Sequence, residues 1–562
     1  MLFSLCACSS GDEYTAYLCG NTPGVTVWSV EKKQDPRPLD TLSRGTQIIV
    51  SPKGAFRHDG VRYFRSRAGK NRFYVAEPSV AQDFRSCVTE KEIFVQTSAS
   101  LIDDTLSSHI AGFAKKEQKL EVLDYNLLLP NGKVKRYLVK CGNVSGWIFE
   151  KYIAHTAEAA AERFDVFDET HKAVRNPFKG GEASGCEFRP YEKPVFADNP
   201  MPSPVNAFYL TISPAGLANI DDYIALADST KINAFVIDIK DNQCPGYKAE
   251  AMARYSPTNF SHASAGKEAL YKKAVDRLHE KGYYVIGRIT CFKDSYYAKD
   301  HPSQSICDKA TGQPFLHNKS YWPSAYSRDV WQFNVELAKE SIRKFGFNEI
   351  NFDYVRFPDR MTSIDSQMDF RNRYGESKVQ AIQNFVRYAC DEIHALGAYV
   401  SIDVFGESAN PGYTTAYGQY WPAISTIADV ICAMPYPDHF DNHYYGISKP
   451  WNHPYELLKA WGERVQGRQA ACSTPAIVRT WIMAYHVMRW VDPNGIDNDA
   501  NYIEREIRAL YDSGLTGGYT TWLASGNISV YRKQKEAYAL DYPNLPPIDS
   551  SARFITGHTT AQ

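Results

Sequence analysis

From residue 208 onward the sequence alternates short apolar runs with longer amphipathic stretches, and this alternation constrains the fold more than any other feature. Eight runs have the length and composition of buried parallel strands, namely 208–211, 234–240, 284–290, 349–357, 398–406, 429–436, 477–485 and 517–524. Helical periodicity lies between them at 268–281, 330–345, 379–396, 455–464 and 502–513. This count over about 330 residues predicts a (β/α)₈ TIM barrel in an α/β chain. An open doubly wound sheet would need a Gly-rich phosphate loop after its first strand, and residues 211–216 do not form one.

A different pattern precedes the barrel, because residues 20–156 carry short β-prone runs separated by turn residues. The segment Gly146-Trp147-Ile148 followed by Lys151-Tyr152-Ile153 resembles the closing strand of bacterial SH3-like domains, and residues 72–75 occupy the matching place of a first copy. We therefore predict two small all-β SH3-like barrels, at 20–90 and 91–156. The usual role of such domains is envelope or ligand binding, which would include the cell wall, and a plain spacer is the alternative.

The remaining segments complete the predicted organisation. Residues 157–205 have the Pro- and Gly-rich chemistry of a linker, 206–545 form the barrel domain, and 546–562 are a C-terminal tail. Residues 1–19 are predicted to be a lipoprotein-type signal remnant and tether, because Leu5-Cys6-Ala7-Cys8 resembles a lipoprotein cleavage box with Cys8 as the lipidated residue. No basic segment precedes the box, so we expect an export signal that begins upstream of Met1, and a coincidental match is the alternative.

Export would place the protein in the cell envelope, in the periplasm or on the outer surface, with a membrane contact only through a lipid anchor. In that compartment Cys19 and Cys87 could form a disulfide, whereas in a cytosolic protein they would be small buried apolar residues. No run approaches the roughly 20 apolar residues of a membrane span. The 63 Lys and Arg residues balance 64 Asp and Glu residues and form no basic stripe, which excludes nucleic acid as the expected partner.

Strand alternation identifies which polar residues point into the barrel at its C-terminal rim, where barrel enzymes carry their sites. In the fourth strand Ile350 and Phe352 form the helix-facing set, so Asn351 and Asp353 point inward. The same argument places Asp403 inside the fifth strand, with Glu407 at the rim. Two carboxylates on adjacent strands are what glycoside hydrolysis requires, one as an acid and one as a nucleophile or base.

Further side chains are predicted to converge at this rim and to contact substrate hydroxyls or sugar faces: Asp238, Lys240, Arg288, Lys293, Arg356, Glu407, Tyr436, His439, Trp481 and Trp522. Two alternatives remain open. The charged residues Asp238, Arg288, Asp353 and Arg356 could form an internal salt-bridge ring with a structural role only. The two tryptophans could equally belong to the core, since an aromatic content of 13% fits either role.

Residues 351–358, Asn-Phe-Asp-Tyr-Val-Arg-Phe-Pro, resemble the signature of a family of glycoside hydrolase domains. Supporting motifs occur in order at about one per strand, and they lie at 236–241, 284–289, 292–294, 403–406 and 434–437. The resemblance covers about residues 208–522 and implies a relative of the amylase-like and α-galactosidase-like barrels. In those barrels the fourth-strand Asp is the nucleophile, so Asp353 inherits that role by position. Asp403 is then the acid/base candidate and Glu407 the reserve.

The predicted chemistry requires no cofactor, and no metal site is predicted. His439 and His443 lie four residues apart beside Asp438 and Asp441, but such a pair binds metal best on a helix and Pro437 predicts a loop. The sequence thus predicts a glycoside hydrolase acting on a cell-envelope or extracellular polysaccharide, peptidoglycan included. The alternative is an envelope protein that binds carbohydrate through a degenerate barrel without cleaving it.

Overall fold

The computed structural model describes residues 12–31, 35–105, 107–164, 183, 185–211, 213–361, 363–410 and 415–545. The predicted lipoprotein box at residues 5–8 and the predicted tail from 546 lie outside these residues. The chain divides into two compact units, Met1–Glu162 and Arg163–Gln562. Among the helices of the described residues, none combines the length and apolar character needed to cross a bilayer.

The first unit consists of two seven-stranded antiparallel sheets with the same strand order. The first sheet runs β3-β2-β6-β5-β4-β1-β7 and the second β10-β9-β13-β12-β11-β8-β14, so each strand has its counterpart seven positions later. The strands are β1 Tyr14–Leu18, β2 Gly24–Ser29, β3 Arg37–Ser43, β4 Gln47–His58, β5 Val61–Ala68, β6 Asn71–Ala76, β7 Val80–Ala81, β8 Glu92–Val95, β9 Ala99–Ile102, β10 Ile110–Ala114, β11 Lys119–Tyr125, β12 Arg136–Cys141, β13 Val144–Phe149 and β14 Ile153–Ala154. The chain therefore repeats one small all-β topology, as expected for tandem modules, and the SH3-like assignment stays a prediction.

The core of the first sheet comes from alternate residues of its strands, which is the period-two pattern of a sheet with one buried face. Val25 and Val27 of β2 are buried with Ile48 and Val50 of β4. Cys19 and Cys87 are both buried and carry free thiols, so the disulfide alternative is not formed here.

The second unit is built on eight parallel strands that close into a barrel. They are β15 Val205–Leu210, β16 Ala234–Asp241, β18 Tyr284–Thr290, β22 Glu349–Asp353, β24 Tyr399–Phe405, β25 Val430–Met434, β26 Ile477–Val478 with β27 Thr480–Met483, and β28 Gly518–Trp522. The seventh strand is divided at Arg479: β26 pairs with β25, β27 pairs with β28, and the Arg479 amide still bonds to Ile431 at 3.0 Å. The predicted TIM barrel is thereby confirmed, in the predicted strand order.

The helices of the described residues are α1 Ala157–Ala161, α2 Pro214–Ala218, α3 Ile220–Ala227, α4 Glu250–Tyr255, α5 Pro257–His262, α6 Lys267–Glu280, α7 Ser295–Asp300, α8 Arg328–Phe345, α9 Lys378–His394, α10 Trp421–Ser425, α11 Pro454–Ala470, α12 Ala500–Asp512, α13 Ile528–Lys533 and α14 Lys535–Ala539. Local chemistry sets their ends. Ser377 and Gln380 form a reciprocal capping box at the start of α9, and Gly346 ends α8 at a φ of 83°. Short extra strands lie in the rim loops: β17 Cys244–Pro245, β19 Cys307–Asp308, β20 Leu316–His317, β21 Ser320–Tyr321 and β23 Met368–Asp369.

The second half of the predicted linker lies on the barrel. Cys186 and Phe188 are buried against Val379 of α9 and against Tyr420, and the Tyr191 hydroxyl donates to Asp391 at 3.0 Å. Prolines keep such a segment extended, but its large apolar side chains gain free energy by burial on the helices. Residues 185–204 therefore behave as part of the barrel unit.

Candidate active site

A cavity of about 1050 Å³ opens at the C-terminal ends of the barrel strands. Most of the side chains predicted from the sequence line this cavity, and they are Arg288, Asp353, Arg356, Asp403, Glu407, Tyr436, His439, Trp481 and Trp522. They come from the third to the eighth strand and the loops that follow. The cavity thus lies where the barrel architecture predicts a functional site.

Arg288, at the end of β18, is the centre of the charge network on the cavity floor. Its Nη2 lies 2.5 Å from Asp353 Oδ2, and its Nη1 lies 2.6 Å from Asp238 Oδ1 and 3.5 Å from Asp241 Oδ1. Its Nε lies 3.9 Å from Asp403 Oδ2. The salt-bridge alternative is therefore partly realised, since one guanidinium joins Asp238 to Asp353. Asp353 and Asp403 nevertheless both reach the cavity, which a purely structural network does not need.

Asp353 ends β22, and the backbone turns sharply directly after it. Tyr354 has a φ of 52°, in the left-handed region, and its amide donates to Asp353 Oδ1 at 2.5 Å. A tyrosine in this conformation costs about 1–3 kcal/mol, a strain that is concentrated at functional sites in proteins. The turn and Arg288 together give Asp353 two donors that stabilise its negative charge.

Asp403, in β24, has a contrasting environment. Its Oδ1 accepts hydrogen bonds of 2.8 Å each from Asn351 Nδ2 and Trp481 Nε1. Its Oδ2 is buried and has no hydrogen-bond partner among the described residues. Burial raises the pKa of Asp403 well above the usual range of an aspartate, and the charge of nearby Asp353 raises it further. The arrangement favours the protonated form of Asp403.

Glu407 follows Asp403 by four residues, and its half-buried side chain lines the wall of the cavity. Burial raises its pKa, and the carboxylates of Asp441 and Asp359 add to the effect. Gly406 makes this placement possible, because a Cβ there would lie 2.6 Å from the Cα of Pro435. The fifth and sixth strand ends can therefore approach each other closely at this point.

Asp238 and Lys240 do not line the cavity, and a β-bulge explains why Lys240 departs from the prediction. The pairing of β16 with β18 shifts between Asp238 and Lys240, so the alternation that places Asp238 inside does not continue to Lys240. Lys240 is fully buried, and its Nζ donates to Asp294 Oδ2 at 2.8 Å and lies 5.5 Å from the ring of Phe333 in α8. These contacts of Lys240 stabilise the fold.

Asp238 acts on the site through Arg288. It is buried, bonds to Arg288 and accepts a hydrogen bond from the Tyr209 hydroxyl. Burial raises the pKa of Asp238 to about 6, an effect that Arg288 opposes. The contacts make Asp238 a residue that orients the guanidinium.

The two other predicted cations differ in position. Lys293 is half-buried outside the cavity lining, with its Nζ 4.9 Å from the Tyr354 ring, and burial lowers its pKa. Arg356 lines the cavity, pairs with Asp359 at 3.2 Å and lies 4.3 Å from the Phe405 ring. The Arg356 guanidinium is therefore held in the cavity wall by Asp359 and the Phe405 ring.

The aromatic residues at the rim belong to both the core and the cavity wall. Trp481 is buried and holds Asp403, and Trp522 packs edge-on against it at 5.7 Å. The Trp522 ring is also covered by Arg288 at 5.1 Å. Tyr436 is buried with its ring 5.4 Å from that of His439. The cavity thus has an aromatic wall, although Trp481 also has a clear positioning role.

Asp438 is not among the site residues predicted from the sequence. Its carboxylate nevertheless joins two loops at the cavity rim. This buried carboxylate accepts hydrogen bonds from His439 Nδ1 at 2.8 Å, the Tyr485 hydroxyl at 2.9 Å and the Met488 amide at 3.3 Å. Its position directly after the sixth strand was a usable signal, but the sequence could not show its partners in the seventh-strand loop.

The metal alternative gains no support from the described residues, among which no cluster of three or more His, Cys, Asp or Glu side chains has a metal-holding arrangement. Asp499 caps α12, accepting the Tyr502 amide at 3.0 Å.

A (β/α)₈ barrel with paired carboxylates in an aromatic-walled cavity has the groups that glycoside hydrolysis requires. The model of the family described as "Putative glycosyl hydrolase domain" matches residues 207–528. The chain belongs to this family.

Solved structures also resemble parts of the chain. A hypothetical protein from Ruminiclostridium thermocellum ATCC 27405 is 31% identical, covers 35% of this chain and 97% of its own, and has a TM-score of 0.30. The PgaB (BpsB) glycoside hydrolase domain from Bordetella bronchiseptica is 12% identical over 62% of this chain and 99% of its own, with a TM-score of 0.42. A class V chitinase from Nicotiana tobaccum is 10% identical over 60% of this chain and 99% of its own, with a TM-score of 0.35. No curated protein sequence matches the chain.

Proposed function

We propose that the barrel hydrolyses a glycosidic bond of a cell-envelope or extracellular polysaccharide by a two-carboxylate mechanism. The carrying observation is the contrast between two neighbouring carboxyl groups. Asp353 accepts a short hydrogen bond from the Arg288 guanidinium, whereas Asp403 Oδ2 is buried, accepts no hydrogen bond from the described residues and lies 3.9 Å from Arg288 Nε, and the pKa of Asp403 is raised. Environments that separate two carboxyl groups in this way assign one the role of the base or nucleophile and the other that of the acid.

In this mechanism Asp353 attacks or electrostatically stabilises the anomeric carbon, and Asp403 protonates the leaving oxygen from Oδ2. Trp481 and Asn351 both donate to Oδ1, which leaves Oδ2 as the oxygen that carries the proton. Arg288 and Arg356 position the sugar hydroxyls, and Tyr436, His439 and Trp522 supply the wall. Glu407 is the alternative acid, since it is more accessible and its pKa is also raised.

The proposal is tested by reducing-end release from purified peptidoglycan, an α-glucan, a galactan and chitosan. Wild type is compared with Asp353→Asn and Asp403→Asn, whose folding is checked by circular dichroism. We expect each substitution to lower the activity by at least about a hundredfold, because the two groups act as a unit. Activity that survives Asp353→Asn contradicts the mechanism. Saturable binding without any product from wild type supports the alternative of a non-catalytic carbohydrate-binding barrel.

For the location we propose export and lipid anchoring at Cys8, supported by the Leu5-Cys6-Ala7-Cys8 box. The two all-β modules would then hold the barrel close to its wall or glycan target. Metabolic labelling with palmitate, followed by fractionation of wild type and Cys8→Ala, tests this. Label that depends on Cys8 supports the anchor, and unlabelled protein overturns it.

A further inference from the structure

Trp490 is exposed over 76% of its surface, more than any other large aromatic side chain among the described residues. No ring contact joins it to another aromatic residue in that part of the chain. Leaving an indole in water forgoes the free energy that its burial would contribute. A large apolar side chain in this state is typical of a binding surface when a cavity lies beside it.

Trp490 lies in the loop 484–499, between the seventh barrel strand and α12. Tyr485, His486 and Met488 of the same loop line the cavity. The indole Nε1 of Trp490 donates to the Met488 Sδ at 3.0 Å, which ties the ring to a residue of the cavity wall. The exposed ring is therefore an extension of the cavity rim.

The loop holds this ring in a fixed place. The amides of Val491 and Asp492 bond to the Met488 carbonyl at 2.8 and 3.1 Å, and Trp451 Nε1 donates to Asp492 Oδ2 at 3.0 Å. Before Trp490, the Met488 amide bonds to the buried Asp438. Both flanks are anchored, so a ligand that stacks on the ring meets little cost for ordering a mobile loop.

We infer that Trp490 is an outer subsite that stacks one sugar ring of a glycan whose cleaved bond lies in the cavity. The inference rests on the proposed function and specifies its substrate as an oligosaccharide or polymer that reaches from the cavity onto the rim. The apolar C–H face of a pyranose fits a flat indole, and the ring edges stay in water with their hydroxyl groups. A substrate of one or two sugars would occupy the cavity without reaching Trp490.

The test compares Trp490→Ala with the conservative Trp490→Phe and with the control Val195→Ala, which shortens the side chain of a residue that is 91% exposed elsewhere in the barrel unit. The four polymers are those named under the proposed function, and kcat/KM is measured on the one that wild type cleaves fastest. It is also measured on a short substrate made of the same sugar, either the disaccharide or an aryl glycoside. Binding to the same four polymers is measured in the Asp353→Asn background by affinity gel electrophoresis.

We expect Trp490→Ala to lower kcat/KM on the polymer by roughly three- to tenfold, through KM, and to leave the short substrate unchanged. Trp490→Phe should recover most of the loss, and Val195→Ala should resemble wild type. Equal kcat/KM of wild type and Trp490→Ala on the polymer, or equal losses on both substrates, overturns the subsite while leaving the hydrolase intact. If wild type cleaves none of the polymers, the proposed function fails, and polymer binding that Trp490→Ala does not weaken then overturns the subsite separately.

Discussion

Single residues decide whether the cavity does chemistry, and the clearest case is the choice of acid. Asp403 and Glu407 are both carboxyl groups whose pKa is raised by burial. Only Asp403 is joined through Arg288 to Asp353 and has its Oδ1 occupied by two donors. These contacts lower the pKa of Asp403, but burial and the charge of Asp353 raise it by more, and we therefore propose that Asp403 carries the proton.

The pH dependence of kcat/KM tests this assignment. A general acid must be protonated, so activity falls as the pH rises through its pKa, and a raised pKa moves that fall toward higher pH. We expect kcat/KM to fall at high pH in wild type and in Glu407→Gln. In Asp403→Asn we expect this fall, the basic limb of the profile, to disappear and kcat/KM to drop by about 10²–10⁴-fold. A limb that disappears in Glu407→Gln instead would make Glu407 the acid.

Asp438 acts at the same scale but by positioning. Asp438→Asn keeps the size of the side chain and removes the charge that attracts Tyr485, Met488 and His439. Because hydrogen bonds to a charged group contribute about 1.5–3 kcal/mol each, we expect both loops to loosen and KM to rise about tenfold with a smaller change in kcat. Tyr485→Phe, which removes one donor, should show a weaker form of the same effect. Unchanged KM in both variants would rule out the positioning role.

For single residues, the sequence predicts well whether a side chain points into the barrel and predicts poorly how deeply that side chain is buried. Alternation correctly placed Asp353 and Asp403, because their strands pair with their neighbours without a shift. It misplaced Lys240 because a one-residue bulge moves every later side chain to the other face. The common sequence mark of a bulge or strand break is missing here, because residues 236–241 contain neither glycine nor proline.

At the scale of elements, the barrel strands were predictable because parallel strands are buried on both faces and their sequences are nearly continuous apolar runs. The ends of these strands were less predictable than the strands themselves. The fourth strand ends at Asp353, and not at residue 357, because Tyr354 takes a left-handed conformation. The linker was predicted from its prolines and glycines. In the structure, the buried side chains of Cys186 and Phe188 hold part of that segment against α9 and the residues around it.

The capping box of α9 offers a test of how local sequence supports the barrel. Ser377 Oγ accepts the Gln380 amide at 3.1 Å, and Gln380 Oε1 accepts the Ser377 amide at 2.8 Å. Ser377→Ala should lower the free energy of unfolding by about 1 kcal/mol, whereas Ser377→Thr keeps the cap and most of the stability. Thermal unfolding of both variants measures this, and equal losses would show that the cap does not act through its hydroxyl.

At the scale of the whole molecule, the repeated strand order of the first unit could be predicted only in part. The sequence signal came from the two closing segments, because the other strands of the copies share no visible motif. Arg44 of the first copy is buried and binds the second, donating to Gly132 O at 2.6 Å and the Tyr137 hydroxyl at 2.9 Å, and it also donates to Glu90 Oε1, at the end of the first copy, at 2.5 Å. A long-range contact of this kind leaves no local pattern.

Removing Arg44 should therefore destabilise the first unit and leave the barrel unaffected. Arg44→Met leaves the buried Glu90 without its cation, which costs about 3–5 kcal/mol. Differential scanning calorimetry of the full chain should show the transition of the first unit at a lower temperature. Arg62→Met is the control, because the side chain of Arg62 is only half-buried and lies 3.8 Å from Glu77, a contact worth about 0–1 kcal/mol. Equal shifts in the two variants would contradict the assigned role of Arg44.

The proposed division of roles between Asp353 and Asp403 can be tested through the dependence of the rate on the leaving group. Wild type, Asp353→Asn and Asp403→Asn are assayed on the natural glycan and on a 2,4-dinitrophenyl glycoside of the same sugar, whose leaving group needs no proton. We predict that Asp403→Asn loses at least about a hundredfold on the glycan and stays close to wild type on the activated glycoside, while Asp353→Asn loses both. Retained activity of Asp353→Asn on the activated glycoside, or an equal loss of Asp403→Asn on both substrates, would contradict the account.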